Sequence, residues 1–159
     1  MSDEKKMLAG KAAFKVLCDM LDEKEWIYDK DEENLEISCQ VSGDDLPIEV
    51  RMRVNTGMEL VTMYSEFPYE IPENKRTEMG LAVNAVNWTL VDGSFDYDSV
   101  RGKTVFRITT SYKDSLIGAG ALEYILIVGC NTVDQFNDLF LAYIKDNITW
   151  EKFLEKVKA

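Results

Sequence analysis

The sequence predicts an α+β fold: an antiparallel sheet of about five to six strands with helices packed on it, in the order α-β-β-β-(β)-α-β-β-α-α. Three observations carry that prediction. The hydrophobic period is helical up to Glu25, alternates from Trp26, turns helical again after Pro72, alternates from Gly93 and ends helical. Short clusters of turn formers separate the alternating runs, as consecutive antiparallel strands require. The 159 residues show no linker, repeat or low-complexity tract, so a single α+β domain over 1–159 is expected.

Met7 to Glu25 reads as a helix, with Ala13, Phe14, Leu17, Met20 and Leu21 in one apolar stripe. Asp3 and Glu4 precede it, where the positive end of a helix dipole favours acids. The acidic stretch Asp29 to Asn34 reads as a hairpin turn between Trp26-Ile27-Tyr28 and a strand in which Leu35, Ile37, Cys39 and Val41 alternate with Glu36, Ser38 and Gln40. Gly43-Asp44-Asp45-Leu46-Pro47 turns into Ile48, Val50, Met52 and Val54, which alternate with Glu49, Arg51, Arg53 and Asn55. Thr56-Gly57 leads into Met58 to Tyr64, giving a meander of three or four strands that Pro68 and Pro72 end, because proline cannot donate to a ladder.

Glu73 to Leu90 returns to helical period, with Met79, Ala82, Val83, Val86 and Leu90 on one side. Gly93-Ser94 opens a second hairpin, Phe95 to Asp98 and Thr104 to Tyr112, turning at Arg101-Gly102. Asp114 to Cys130 is strongly apolar, and Thr132 with Gln135 matches a capping box, which predicts a new or kinked helix there. Phe136, Leu139, Phe140, Tyr143 and Ile144 form a core stripe, and Thr149 caps a last short helix carrying Trp150, Phe153, Leu154 and Val157.

Composition excludes several kinds of chemistry. There is no histidine, so histidine-dependent triads, proton shuttles and metal sites are absent. A formal net charge of −11 repels nucleic-acid backbones and anionic lipid surfaces. Three separated cysteines, Cys18, Cys39 and Cys130, form no CxxC and read as buried thiols of a cytoplasmic protein. The start Met1 to Lys6 lacks the apolar run of a secretory signal. Ser115 to Val133 is nearly long enough to span a membrane, but Glu123 lies at its centre, so a core helix is expected.

The acids Asp92, Asp96 and Asp98, and Asp29, Asp31 and Glu33, have the look of calcium loops. Lys103 or Gln40 then falls where the bidentate Glu belongs, so they read as turn acids and no metal is expected. Arg51 and Arg53 share a sheet face that Arg107 can join, and cross-strand pairing with acids such as Glu49 and Glu36 is their expected use. No GxSxG, P-loop or GxGxxG occurs, so no catalytic residue and no cofactor are proposed.

The helix Glu73 to Leu90 is the most informative element. Opposite its core stripe lies a second apolar set, Leu81, Ala85 and Trp88. A helix apolar on two sides must be covered twice, either by the C-terminal helices or by another polypeptide. Asn84 and Asn87 lie between the stripes, where they can bond strand ends or, with Tyr97, line a groove.

From Phe67 to Tyr112 the sequence resembles the YbjN-type family of bacterial proteins, labelled sensory transduction regulators. The features are Pro72 before a helix, Asn84 and Asn87 three apart, Gly93-x-Phe95-x-Tyr97-Asp98, the turn glycine Gly102, and Val105-x-Arg107 in the returning strand. About half the chain matches closely and the rest by element order. The resemblance implies the type III secretion chaperone-like fold, found in small acidic dimers that hold a partner polypeptide without catalysis. The expected function is therefore a cytoplasmic, non-enzymatic protein-binding module, working as a homodimer with neither nucleic acid nor membrane as a partner. A small-ligand sensor with a pocket near Asn84, Asn87 and Tyr97 is the alternative, and a carboxylate-dependent hydrolase the third reading.

Overall fold

A computed structural model describes residues 2–158. Helix α1 (Asp3–Glu23) leads into strands β1 (Asp29–Asp31), β2 (Glu36–Ser42), β3 (Pro47–Asn55) and β4 (Leu60–Glu66). A 3₁₀ turn (Glu73–Lys75) and helix α2 (Arg76–Asn87) follow, then β5 (Ser94–Asp98), β6 (Lys103–Ser111), α3 (Ala119–Ile144) and α4 (Trp150–Lys158). The six strands form one sheet in the order β1-β2-β3-β4-β6-β5, with every neighbouring pair antiparallel. Since β6 lies between β4 and β5, the unit β4-α2-β5 is a split crossover with α2 as its connection.

The alternation read from sequence sorts the two faces of the sheet. Ile37, Met52, Met63 and Ile108 are register partners across β2, β3, β4 and β6, and all are fully buried. Helix α3 packs on β3, β4 and β6, α1 on β3 and α2 on β5. Close seating of α3 depends on Gly129, where a Cβ would lie 2.6 Å from Met63 Sδ. Phe140 is the hub of an aromatic cluster, with ring centroids 5.3 Å from Phe95 and 5.8 Å from both Phe67 and Phe153.

Several boundaries differ from the sequence reading, each for a local reason. Helix α1 begins at Asp3 because Ser2 Oγ accepts the Lys5 N–H at 3.4 Å, an N-cap that makes Asp3 and Glu4 first-turn residues. Strand β1 is Asp29–Asp31 rather than the preceding aromatic run, and the turn moves to 32–35. There Asp31 Oδ1 accepts the N–H groups of Glu33 and Asn34, at 3.1 and 3.0 Å. Strand β4 starts at Leu60, leaving Met58 exposed in the turn. Helix α3 starts only at Ala119, because Asp114 adopts a left-handed φ of 53° and Gly118 takes the extended N-cap position.

The predicted break at Thr132 is absent: α3 runs unbroken for 26 residues. Its apolar stripe passes straight through the site, from Leu126 and Cys130 to Val133 and Phe136, and Thr132 is itself buried. Burial of that continuous stripe overrides the local capping pattern. No helix among the described residues is long and apolar enough to cross a membrane.

Candidate protein-binding face

Pro72, lacking an N–H, is well suited to open the turn that starts α2. The N-terminal end is then tied down by side chains. Arg76 Nε donates to the Ile71 carbonyl at 3.2 Å, its guanidinium also reaches the Val100 carbonyl, and Lys75 Nζ bridges Glu78 and Asp146 at 3.1 and 2.5 Å. Met79, Ala82, Val83 and Val86 face the core. On the other side, Leu81 is 60% exposed and Trp88 90%, with Asn84 exposed beside them and Ala85 half-buried. The C-terminal helices therefore leave the second stripe uncovered. Not one charged residue occurs from Met79 to Val91, in a chain where charged residues make up 30%.

The patch extends beyond α2. Val91, just past the helix, is fully exposed. Its neighbour Asp92 faces the Tyr124 hydroxyl, whose pKa it raises, and this brings exposed Tyr124 and Ile127 of α3 to the end of α2. Sequence reasoning missed Val91, Tyr124 and Ile127, because the run containing the last two is apolar on every side and reads as core throughout. The available signal was that same excess: a helix on one face of a sheet cannot bury its whole circumference.

Asn87 has a different role. Its Nδ2 donates to the Phe95 carbonyl at 2.9 Å and its Oδ1 accepts the Phe95 N–H at 2.8 Å. These are outward groups of β5, since β6 pairs on the other side, so Asn87 shields that sheet edge. Tyr97 lies on the same strand face as Phe95, against Gly80, where a Cβ would sit 3.9 Å from the ring. Its hydroxyl is buried without a hydrogen-bond partner, and burial raises its pKa. Leu81, Asn84, Ala85 and Trp88 thus share one face, while Asn87 turns toward β5, from which Tyr97 packs back on Gly80 of α2.

The sheet's other face carries no helix. Register puts Arg51, Tyr64 and Arg107 in one row across β3, β4 and β6, so Arg107 does join the arginine face. Only Arg107 pairs as expected, through two contacts with Asp96 of β5, at 2.7 and 3.2 Å. Glu49 shares the strand of Arg51 and Arg53 and is no cross-strand partner, while Glu36 stands opposite Arg53 in register. Neither Arg51 nor Arg53 makes an ion pair among the described residues.

All three thiols are unpaired. Burial raises the pKa of each, that of Cys130 to about 12, so they stay protonated and unreactive near neutral pH. A cleft of about 430 Å³ lies between α1 and the β1–β2 hairpin, with Phe14, Cys18 and Leu35 as its apolar lining. It is remote from Asn84 and Tyr97.

No family model matches the sequence. No curated protein matches it either. Solved structures do match the fold. YbjN from E. coli, described as a candidate transcription regulator, aligns with a TM-score of 0.57 and 8% identity, over 84% of this chain and 90% of that one. A chain of the ExsC–ExsE complex aligns at 0.58 and 12% identity, over 80% and 92%. A chain of the HopA1–SchA chaperone–effector complex aligns at 0.52 and 11%, over 80% and 94%. The fold is the chaperone-like one. The resemblance read from Pro72, the paired asparagines and the Gly93 hairpin therefore holds at the level of architecture.

Proposed function

We propose that the chain is a non-catalytic, cytoplasmic polypeptide-binding module, chaperone- or regulator-like, that acts as a homodimer. The observation that carries this reading is the uncharged, uncovered face of α2, where Leu81 and Trp88 stand exposed and Val91 extends the patch. Two copies that each carry −11 repel each other everywhere except where charge is missing, so this face is where a second copy docks. Burial of apolar area there contributes roughly 25 cal/mol per Å² before the costs of association. Each copy keeps the polar face of its sheet open for a different polypeptide, and the acidic surroundings favour basic or neutral partners. The occurrence of the same fold in a chaperone–effector complex supports this reading.

The test is affinity capture from lysate of the native cells, run in parallel with the wild type and Trp88→Glu, with bound proteins identified by mass spectrometry. One polypeptide in stoichiometric amount is expected with both baits, since it docks on the open sheet face, while the second copy of the chain is lost in the variant. Recovery of the bait alone would overturn the reading in favour of a small-ligand sensor, whose most suitable site is the cleft over Phe14, Cys18 and Leu35.

A further inference from the structure

All three prolines of the chain, Pro47, Pro68 and Pro72, line one groove of about 440 Å³. It lies between the start of β3, the connection from β4 to α2, and the last turn of α3, which contributes Leu141 and Ile144 from one helix face. Its volume falls within the range of small-molecule sites, roughly 300–1,000 Å³. The walls are set before anything binds. Each proline ring locks its own φ, the Ile71 N–H donates to the Gly102 carbonyl at 2.8 Å, and the Pro72 carbonyl accepts the Lys75 N–H at 2.9 Å. A groove already in shape spares an occupant part of the ordering cost of binding.

Few polar groups of the lining are open to an occupant. The prolines have no N–H, and the Tyr69 hydroxyl donates to the Asn137 carbonyl at 2.6 Å. Two charges remain, Glu70 from the β4–α2 connection and Lys145 from the end of α3. Both are exposed, and neither makes an ion pair among the described residues. Neighbouring charges are already matched. Lys75 holds Asp146, next to Lys145 in the chain, at 2.5 Å, and Glu66 holds Lys103 at 2.9 Å. Pro68, Tyr69 and Glu70 also border a second depression, lined by Glu49, Glu66 and Lys103, which carries the groove onto the open face of the sheet.

An internal stretch of polypeptide laid along these walls would bury backbone groups where the prolines can donate nothing to them. A chain end avoids most of that cost, because only its last residues enter and its carboxylate meets a cation. Resting on the polypeptide-binding reading, we propose that the groove takes the C-terminus of the partner. The terminal carboxylate pairs with Lys145, the final apolar side chains fill the space between the prolines and Ile144, and a basic residue upstream faces Glu70 and the acids of the sheet face.

The test is an NMR titration of the intact, isotope-labelled chain with the peptide acetyl-Lys-Ser-Leu-Leu, once with a free C-terminal carboxylate and once as its amide. The free acid should give saturable amide shifts at Leu46, Tyr69, Leu141 and Ile144. The amide should bind about fivefold more weakly, the top of the range for one exposed charge pair. Lys145→Gln, at an exposed and unpaired position, should keep the fold and bind both peptides alike, at the affinity of the amide. Glu70→Gln should weaken both peptides equally and keep the preference for the acid. No saturable shift, equal affinity of acid and amide in the wild type, or a preference for the acid that survives Lys145→Gln would each overturn the proposal. Because a defined peptide is titrated, failure here with lysate capture intact removes the groove alone. Peptide binding beside an empty capture would fault the broader reading and leave the groove standing.

Discussion

Asn87 uses both polar atoms of its side chain on a single residue of β5, at 2.8 and 2.9 Å, and no water or ligand could replace that pattern without exposing the strand edge. Truncation strands a half-buried N–H and C=O at once, so Asn87→Ala should lower unfolding stability by about 1–3 kcal/mol in urea titration. A loss below about 0.5 kcal/mol, the scatter of ordinary surface substitutions, would show that the clamp adds nothing. The residue was legible in sequence as one of an asparagine pair between two stripes. Its bonding to a neighbouring strand was one of the two uses the sequence left open, and only the sheet order, which puts β5 at an edge, decides for it. Two of the cysteines were legible outright, since their apolar neighbours already placed Cys18 and Cys130 inside, whereas Cys39, expected to be buried with them, is half-buried on β2. Cys130, with its pKa pushed up to about 12, should resist alkylation in the native state near pH 8 and label promptly in denaturant. Rapid native labelling would contradict the burial described here.

At the scale of elements, periodicity was readable where one face of an element is buried and misleading where local and global signals compete. Strand β3 alternates without exception, Ile48, Val50, Met52 and Val54 in and their neighbours out, and its limits agree with the sequence to within one residue. Helix α3 shows the opposite case. A threonine followed three residues later by glutamine can cap a helix only if the chain before it leaves helical geometry. The stripe through Leu126, Cys130 and Val133 gains more by continuing. The same helix depends on a feature no period reveals, the contact of Gly129 with Met63. Alanine there adds about 1 kcal/mol of helix propensity but forces a methyl against a fully buried thioether, an overpacking cost of about 1–3 kcal/mol. Gly129→Ala should therefore lower Tm, whereas a rise in Tm would mean that Met63 yields more readily than its burial implies.

Across the whole molecule, helices cover one face of the sheet and leave the other polar, while α2 keeps a face of its own that is neither charged nor covered. The doubly apolar character of α2 was plain in the sequence. Whether the second stripe met the same chain was not, because sequence order does not say where α3 and α4 lie. Their packing settles it, leaving Leu81 and Trp88 exposed. Two copies of −11 must overcome mutual repulsion, so association through this face should strengthen with added salt, which screens the charges and leaves apolar burial intact. Sedimentation velocity of the wild type and Trp88→Glu at low and moderate salt tests that claim most directly. The account predicts a wild type near twice the chain mass, a dimer more complete at moderate salt, and a monomeric variant with unchanged circular dichroism. A monomeric wild type at tens of micromolar (a stable dimer having a Kd of about 1 μM or below), or a Trp88→Glu variant that still dimerises, would contradict it.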